Sequence, residues 1–411
     1  MKRTLIIGAG ASGMLAAIAS AKAGESVTVL ERNRKALKKL GITGNGRGNL
    51  LNSMDYRYFG DAHFAIQVFK NMPYQSVYNF LTEMGITLTH EADGRIYPTS
   101  YLASVAVEAI LHKANLLNIN IITDTYVNAV HLNKNNIVVN ASTSIFPKAT
   151  YKKSGKLQKT APIQVIDNEY IADKIIIATG GAAAPMQGTD GSSYQLLTKL
   201  GYPLTTIKPA LTGLLWEQPQ LDQLSGLRLK ASLKIKTPLE LHSTRGEVLI
   251  CKGGLSGIAA MQLARFYVPN SEVILDIRES ILGSENKDLN VLEWLENRVS
   301  IMQTNHLEDL FIGTIPKSLA QFLCKTADYS LKNLSNIITE YHIPLTGVRD
   351  FEQAQVTAGG FETDLFSPLT LASKKEPRLH VVGEALNVDG DCGGYNLLFA
   401  FATGILAGEA K

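Results

Sequence analysis

The sequence predicts an α/β chain in which one parallel-sheet domain is assembled from both ends of the polypeptide and interrupted by inserted β-barrel-like and helical subdomains. Three observations predict it. Thr4-Leu5-Ile6-Ile7 is a short apolar strand that runs into Gly8-Ala9-Gly10-Ala11-Ser12-Gly13 and continues as an Ala-rich helix to Gly24. Mid-chain, Lys174-Ile175-Ile176-Ile177 is a second apolar run, and it ends in Ala178-Thr179-Gly180-Gly181. Towards residue 411, Arg378-Leu379-His380-Val381-Val382 closes on Gly383-Glu384, and a glycine turn at 390–394 opens a last apolar helix to Ala407. Strand, glycine turn and helix at each end, with a lone apolar strand between them, is the pattern of a buried parallel sheet whose strands are distant in sequence.

Each part of the first unit has a physical task. Gly8 permits a tight turn, Gly10 lets backbone approach a pyrophosphate, and Gly13 lets helix and strand pack closely. The helix start at Ala11 and Ser12 presents free N–H groups and a partial positive charge to that anion. A second apolar strand over 26–30 ends at Glu31, about 20 residues beyond the turn, where an acid can accept from a ribose 2′-OH. Arg32 closes the same edge. This βαβ fingerprint predicts an adenine dinucleotide without choosing between NAD and FAD.

The far end of the chain chooses FAD. Glu384 can hold ribityl hydroxyls. The helix from about Gly394, opening with Tyr395, Asn396 and Leu397 after Asp391, can aim its dipole at a flavin ring and stabilise the anion of its reduced form. A plain nicotinamide enzyme has no reason to return to its first βαβ unit so late. Thr179, Gly180 and Gly181 let the chain pass close to the cofactor. A loop over 40–49 carries Gly41, Gly44, Gly46 and Gly48 with Arg47 and Asn49, and is expected to wrap the pyrophosphate and ribityl. Val127, within 126–128, offers backbone groups to adenine.

Taken together, these residues resemble the BaiN/RdsA (YhiN-type) family of FAD-dependent oxidoreductases, which also includes streptococcal aminoacetone oxidase. The resemblance spans nearly the whole chain. It rests on the first fingerprint, the Thr43-to-Asn49 loop, Asp93-Gly94-Arg95-Ile96-Tyr97-Pro98, Gly313-Thr314-Ile315-Pro316-Lys317, Val356-Thr357-Ala358-Gly359-Gly360, and above all the stretch from Gly383 to Leu397. The loop departs from the family pattern, which usually reads Gly-Gly-Gly-Arg-Cys-Asn. Here Asn45 replaces a glycine and Gly48 the cysteine, so a thiol role at that position is absent.

Bulk properties narrow the classes. A chain of 411 residues exceeds one ordinary domain. Apolar content of 45% and a mean hydropathy near zero describe a soluble globular protein. A net charge of +3 with scattered basic residues gives no reason to expect nucleic acid or an anionic membrane as partner. Cys251, Cys324 and Cys392 are far apart and odd in number, which argues for a reducing, cytoplasmic setting and against a disulfide framework. No Cys/His spacing points to a metal. Met1-Lys2-Arg3 and the apolar residues after it superficially resemble a signal peptide, but the glycine spacing explains them better. The longest apolar run, 397–408, is too short to span a bilayer.

The expected FAD-binding domain is 1–187 with 350–411. Short alternating runs over 119–175 predict a β-meander, with strands at 120–123, 127–132, 136–140 and 163–167. A β-rich substrate domain is expected over 188–252 with 341–349, and a helical subdomain over 253–340, with helices at 256–266, 291–304, 317–325 and 331–340.

The reaction is read from what is missing. Gly253-Gly254-Leu255-Ser256-Gly257 lacks the spacing and trailing acid of a second dinucleotide fingerprint, so a dedicated nicotinamide domain is not expected. This favours an oxidase of a small primary amine or amino acid. Its substrate passes a hydride to flavin N5, O2 reoxidises the flavin to give H2O2, and carbonyl product and ammonia leave. The resemblance to aminoacetone oxidase implies the same. The alternative is an NAD(P)H-dependent reductase of an enone or similar small acceptor. No catalytic dyad stands out. Arg95 is the candidate to bind a substrate carboxylate or carbonyl and Tyr97 the candidate to wall the flavin.

Overall fold

The computed structural model describes residues 1–147, 161–286 and 288–410, so the 148–160 part of the expected meander lies outside the described residues. The chain forms two compact units, Met1–Lys208 with Val356–Lys411, and Pro209–Gln355.

The first unit is built on five parallel strands. In chain order they are β1 (Arg3–Ile7), β2 (Ser26–Leu30), β3 (Asn120–Ile122), β4 (Lys174–Ile177) and β5 (Leu379–Val381); across the sheet they run β5-β4-β1-β2-β3. The apolar runs of β1 and β4, at the centre of the sheet, are continuous and buried rather than alternating. Helix α1 (Ala11–Lys22) follows β1, and helix α2 (Tyr395–Glu409) closes the unit by packing on α1. Small residues permit that contact. A Cβ at Gly404 would lie 2.3 Å from the Ser12 carbonyl oxygen, and one at Gly408 2.5 Å from the Ala19 Cβ. Of the expected meander, 120–123 instead joins the parallel sheet as β3, and the rest is a three-stranded antiparallel sheet of Thr125–Leu132, Ile137–Ile145 and Gln164–Ala172.

One side chain ties this unit in a way the sequence does not advertise. Lys174, at the first position of β4, is fully buried. Its ammonium donates to the carbonyls of Ala410 (2.8 Å) and Gly408 (3.3 Å) at the end of α2 and lies 3.4 Å from the Glu25 carboxylate. Burial pushes its pKa down, and Glu25 opposes that shift. A cation at a helix C-terminus also meets the negative end of the helix dipole.

The second unit holds a seven-stranded antiparallel sheet, in the order Tyr341–Pro344, Glu272–Asp276, Arg228–Lys236, Leu241–Cys251, Gly254–Ser256, Leu214–Leu215 and Gly347–Val348. Alternate residues of Arg228–Lys236 are buried, as a half-buried strand requires. The helices Val291–Met302, Lys317–Thr326 and Leu331–Thr339 lie where the periodicity predicts helix. They do not form a core of their own. Leu295, Leu323 and Ile338 share one buried cluster with Leu233, Ile235 and Val273 of the sheet. The cut expected at 252/253 is absent because strand Glu272–Asp276 falls inside the supposed helical stretch and pairs on both sides. The division between units falls at 208/209 and 355/356, rather than at 187/188 and 349/350.

Candidate functional site

The turn after β1 has the geometry its glycines predict. Gly8 has φ +104°, and a Cβ there would lie 2.5 Å from the Ala178 carbonyl oxygen at the end of β4. A Cβ at Gly13 would lie 1.9 Å from the Gly8 carbonyl oxygen, whereas one at Gly10 would meet nothing within 4 Å. Gly8 and Gly13 are therefore needed by the fold, and Gly10 leaves an opening. That opening lies over the start of α1. No side chain caps the helix, and its first internal donor is the Met14 N–H to the Gly10 carbonyl (3.0 Å). The N–H groups of Ala11, Ser12 and Gly13 precede it at the positive end of the helix.

Glu31 is buried beside this turn. Its carboxylate accepts from the Ala9 N–H and from the backbone and side-chain N–H groups of Asn33, each at 2.8 Å. A carboxylate has about four acceptor positions, so one remains for a ribose hydroxyl. The Glu31 carbonyl accepts from the Thr125 N–H (2.8 Å), which fixes the strand carrying Val127 next to it; Val127 is buried at a bulge. Arg32 turns away to a bidentate pair with Asp190 (2.7 and 3.0 Å), which holds that carboxyl down at a pKa of about 2.

In the 40–49 loop Gly44, Gly46 and Gly48 all have positive φ. Gly46 faces open space, and its carbonyl accepts from the Ala103 N–H (2.8 Å). A Cβ at Gly48 would lie 2.9 Å from the Ala103 Cα, so this loop as folded has no room for the family's cysteine. With its amide oriented to satisfy both neighbours, Asn49 donates to the Leu51 carbonyl and accepts from the Gly394 N–H, each at 3.2 Å. Arg47 is engaged elsewhere than at an expected pyrophosphate. It pairs with Glu91 (3.3 Å) and lies 4.9 and 4.7 Å from the ring centroids of Tyr97 and Tyr101.

A third group of residues comes together from four distant segments. Gly181 passes so close to Thr357 that a Cβ would lie 2.4 Å from its hydroxyl oxygen. That oxygen accepts from the Ala182 and Ala183 N–H groups (2.8 and 3.0 Å). The Thr357 N–H donates to Glu384 (2.8 Å), and the Lys39 ammonium donates to the other Glu384 oxygen (2.9 Å). Gly180, at φ +72°, abuts Thr189, and Thr179 lies against Gly8. Gly383 sits over Ser12, its absent Cβ 2.8 Å from the Ser12 hydroxyl oxygen. The sequence singled out Glu384, Gly180 and Gly181; Lys39 and Thr357 emerge only from the fold. Thr357 lies in one of the stretches that carried the family resemblance.

The start of α2 is held from several sides. The Asn396 side chain clamps Gly390, accepting from its N–H (2.8 Å) and donating to its carbonyl (2.9 Å) and to that of Asp391 (3.3 Å). The Tyr395 carbonyl accepts from the buried Tyr58 hydroxyl (2.8 Å), and the Gly393 carbonyl from Asn52 (2.8 Å). Gly394 has φ +100° and caps a helix that no side chain caps, with Leu397 in its first turn. Asn52 and Tyr58 were not legible as site residues. Cys392 stays a thiol, since burial pushes its pKa up. Arg95 is held beside the start of the 95–98 strand by Asp93, and the pair leaves its Nη1 donors uncommitted. Its guanidinium is locked onto Asp93 through Nε (2.6 Å) and Nη2, which raises the Arg95 pKa and lowers that of Asp93. Tyr97 is almost fully buried beneath Arg47, so it exposes little surface as a wall.

The family model described as HI0933-like protein Rossmann domain matches residues 2–410. The chain belongs to that family. It is an FAD-dependent oxidoreductase. Among its relatives, 3-dehydro-bile acid delta(4,6)-reductase of Clostridium scindens is 30% identical over 100% of this chain and 99% of its own length. The ribosomal RNA dihydrouridine synthase of Haemophilus influenzae is 24% identical over 97% and 96% of the two chains. A solved 3-ketosteroid delta1-dehydrogenase from Sterolibacterium denitrificans superposes with a TM-score of 0.46 at 10% identity, over 99% of each chain. Among the described residues no cluster of His, Cys, Asp and Glu could hold a metal, and no helix is long and apolar enough to cross a membrane.

The residues present fit FAD. Gly10 and Gly46 leave openings without side chains, the uncapped start of α1 offers donors to an anion, and Glu31 and Glu384 keep lone pairs for hydroxyls.

Proposed function

We propose that this chain is a reductase that adds hydrogen across a carbon–carbon double bond conjugated to a carbonyl, in an enone or a close analogue, with NAD(P)H as reductant. The observation that carries it is the end-to-end relation to a bile acid delta(4,6)-reductase. In a 3-dehydro bile acid those double bonds are conjugated to the C3 ketone. The more distant relative shares the chemistry, since dihydrouridine is uridine saturated at the ring double bond conjugated to a carbonyl.

FAD held by these residues would supply the hydride-transfer chemistry. The hydride and a solvent-derived proton make the two new C–H bonds, and negative charge passes through the carbonyl oxygen on the way. In this reading Gly10, Ala11, Ser12 and Gly13 bind the pyrophosphate, Glu31 the adenosine ribose, and Glu384 with Lys39 the ribityl. The start of α2 at Gly394 to Leu397 holds the ring end, where its dipole favours negative charge.

The amine oxidase expectation keeps Arg95 as its candidate carboxylate anchor, through the donors that the pair with Asp93 leaves unused. One anaerobic experiment separates the readings. Flavin absorbance at 450 nm, or about that wavelength, is followed as NADH, NADPH and a panel of small amines are added. The reduced protein is then offered a 3-oxo-Δ4 steroid, cyclohexenone, undermodified ribosomal RNA or O2. Bleaching by a nicotinamide and rapid recovery with an enone are expected. Bleaching by an amine alone, with H2O2 formed in air, overturns the proposal in favour of the oxidase; recovery with RNA alone transfers it to a nucleic acid substrate.

A further inference from the structure

Beyond β4 the chain runs from Gly181 to Asp190, and each end of this segment lies at a residue assigned above to FAD or next to one. At Gly181 a Cβ would lie 2.8 Å from Glu384 Oε1. At the far end Asp190 accepts two bonds from Arg32 (2.7 and 3.0 Å), the neighbour of Glu31. Between these ends the segment folds on itself. The Gln187 and Gly188 N–H groups donate to the Ala184 and Pro185 carbonyls (2.8 and 2.9 Å), and the Thr189 hydroxyl donates back to the Ala183 carbonyl. Gly180 and Gly191, at φ +72° and +77°, flank the turn and let the backbone swing at both sides of it.

What fastens this turn is polar. None of residues 184–190 is buried, and Met186 is 70% exposed, so no apolar side chain sinks the turn into the core. Its outward bonds go to the 32–39 stretch. Lys38 donates to the Met186 carbonyl (2.6 Å), Asn33 to that of Gln187 (3.3 Å) and Arg32 to Asp190. A segment held by exposed polar bonds, with little apolar burial, opens at a small cost in free energy. Two side chains that grip the segment also hold the acids assigned to the cofactor. Asn33 donates to Glu31 (2.8 Å) as well as to Gln187. Lys39 donates to Glu384 (2.9 Å) as well as to the Ala183 carbonyl (3.3 Å).

We propose that residues 184–190 form a latch on the route by which FAD enters and leaves, fastened by the Arg32–Asp190 pair. The proposal rests on the reading of Glu31 and Glu384 as FAD contacts and is independent of the substrate proposed above. A latch that closes equally well with and without FAD slows entry and exit by the same factor and leaves the dissociation constant in place.

The test uses the full-length chain with Arg32→Gln, Asp190→Asn and both together. Release of FAD is followed by the gain of flavin fluorescence on dilution, and uptake by its loss when FAD is mixed with stripped protein. Each single variant is expected to raise both rates on the order of fivefold, and the double variant no further, because all three remove the same pair. The dissociation constant is expected to move by less than about twofold. Potassium chloride at about 1 M is expected to speed release from the parent and to act less on the variants, which already lack the pair that salt screens. Unchanged rates overturn the latch. Faster release with unchanged uptake overturns it too, because the altered side chain would then touch the cofactor itself. So does a lower melting point of the stripped variants, which would assign the rates to a loosened fold. Glu384→Gln tests the underlying site separately: a dissociation constant equal to the parent's removes FAD from this turn, and the latch with it, whatever the rates.

Discussion

His380 stands on β5 with its ring buried, and its Nδ1–H donates to the Thr370 carbonyl (2.8 Å). Burial pushes its pKa from 6.5 down to about 4, with the nearby charges of Lys174 and Lys2 adding to the shift. The fold therefore holds the neutral ring. Between pH 6.5 and 4 the unfolded chain takes up a proton that the folded chain refuses, so stability is full above pH 6.5 and falls as the pH drops towards 4. The loss amounts to about 3 kcal/mol. His380→Asn keeps a donor for Thr370 and cannot titrate, and its melting temperature is expected to vary less with pH over that window than the parent's. Parallel melting curves from pH 7 to 4 check this; equal slopes would assign the acid sensitivity to other groups. Residues at this scale were the hardest to read from sequence. Arg32, Arg47 and Arg95 look alike as free cations, and each is paired in the structure, Arg32 with Asp190 far along the chain. Lys39 and Thr357 acquire their roles only when Glu384 arrives between them. No local pattern encodes such a meeting.

Elements whose requirements are local were legible. The turn from Gly8 to Gly13 is read correctly because the clash that demands glycine at 13 involves Gly8 itself, within the same turn. The same geometry separates folding from binding. Gly13→Ala forces a methyl into the Gly8 carbonyl and is expected to destabilise the first unit by about 3 kcal/mol or more. Gly10 has extended backbone angles and open space, so Gly10→Ala is expected to change stability by less than about 1 kcal/mol. Its methyl enters the opening where backbone would meet the pyrophosphate, and FAD content after purification is expected to fall at least tenfold, or about that much. Differential scanning fluorimetry with flavin quantitation tests both. A stable, FAD-replete Gly10→Ala protein would remove the pyrophosphate from that opening. By contrast, strand Glu272–Asp276 was missed because a run of three apolar residues between two acids has no period long enough to distinguish it from a helix. Its identity comes from its two sheet neighbours, supplied by segments on either side in sequence.

At the scale of the molecule, two buried cores coexist in one chain. Discontinuity of the first unit was legible from the return of a strand and glycine turn near residue 383, whereas the outer limits of the insertion were not, because strands near a crossing point look the same whichever core they join. The division has a thermodynamic consequence. Every side chain assigned above to FAD lies in the first unit, so the cofactor is expected to stabilise that unit. Saturation to about 100 times the dissociation constant adds about 2.7 kcal/mol to the state that binds. For a unit of this size that corresponds to a rise of about 5–10 °C in its midpoint. Calorimetry of the full chain is expected to resolve two transitions, of which excess FAD moves one. Leu233→Ala, which opens a cavity in the second core, is expected to cost about 2–5 kcal/mol and to lower the other. If FAD and the Leu233 cavity both displace a single transition, the two cores melt as one block, and stability gained at the cofactor is then shared by the whole chain despite being anchored in one unit of it.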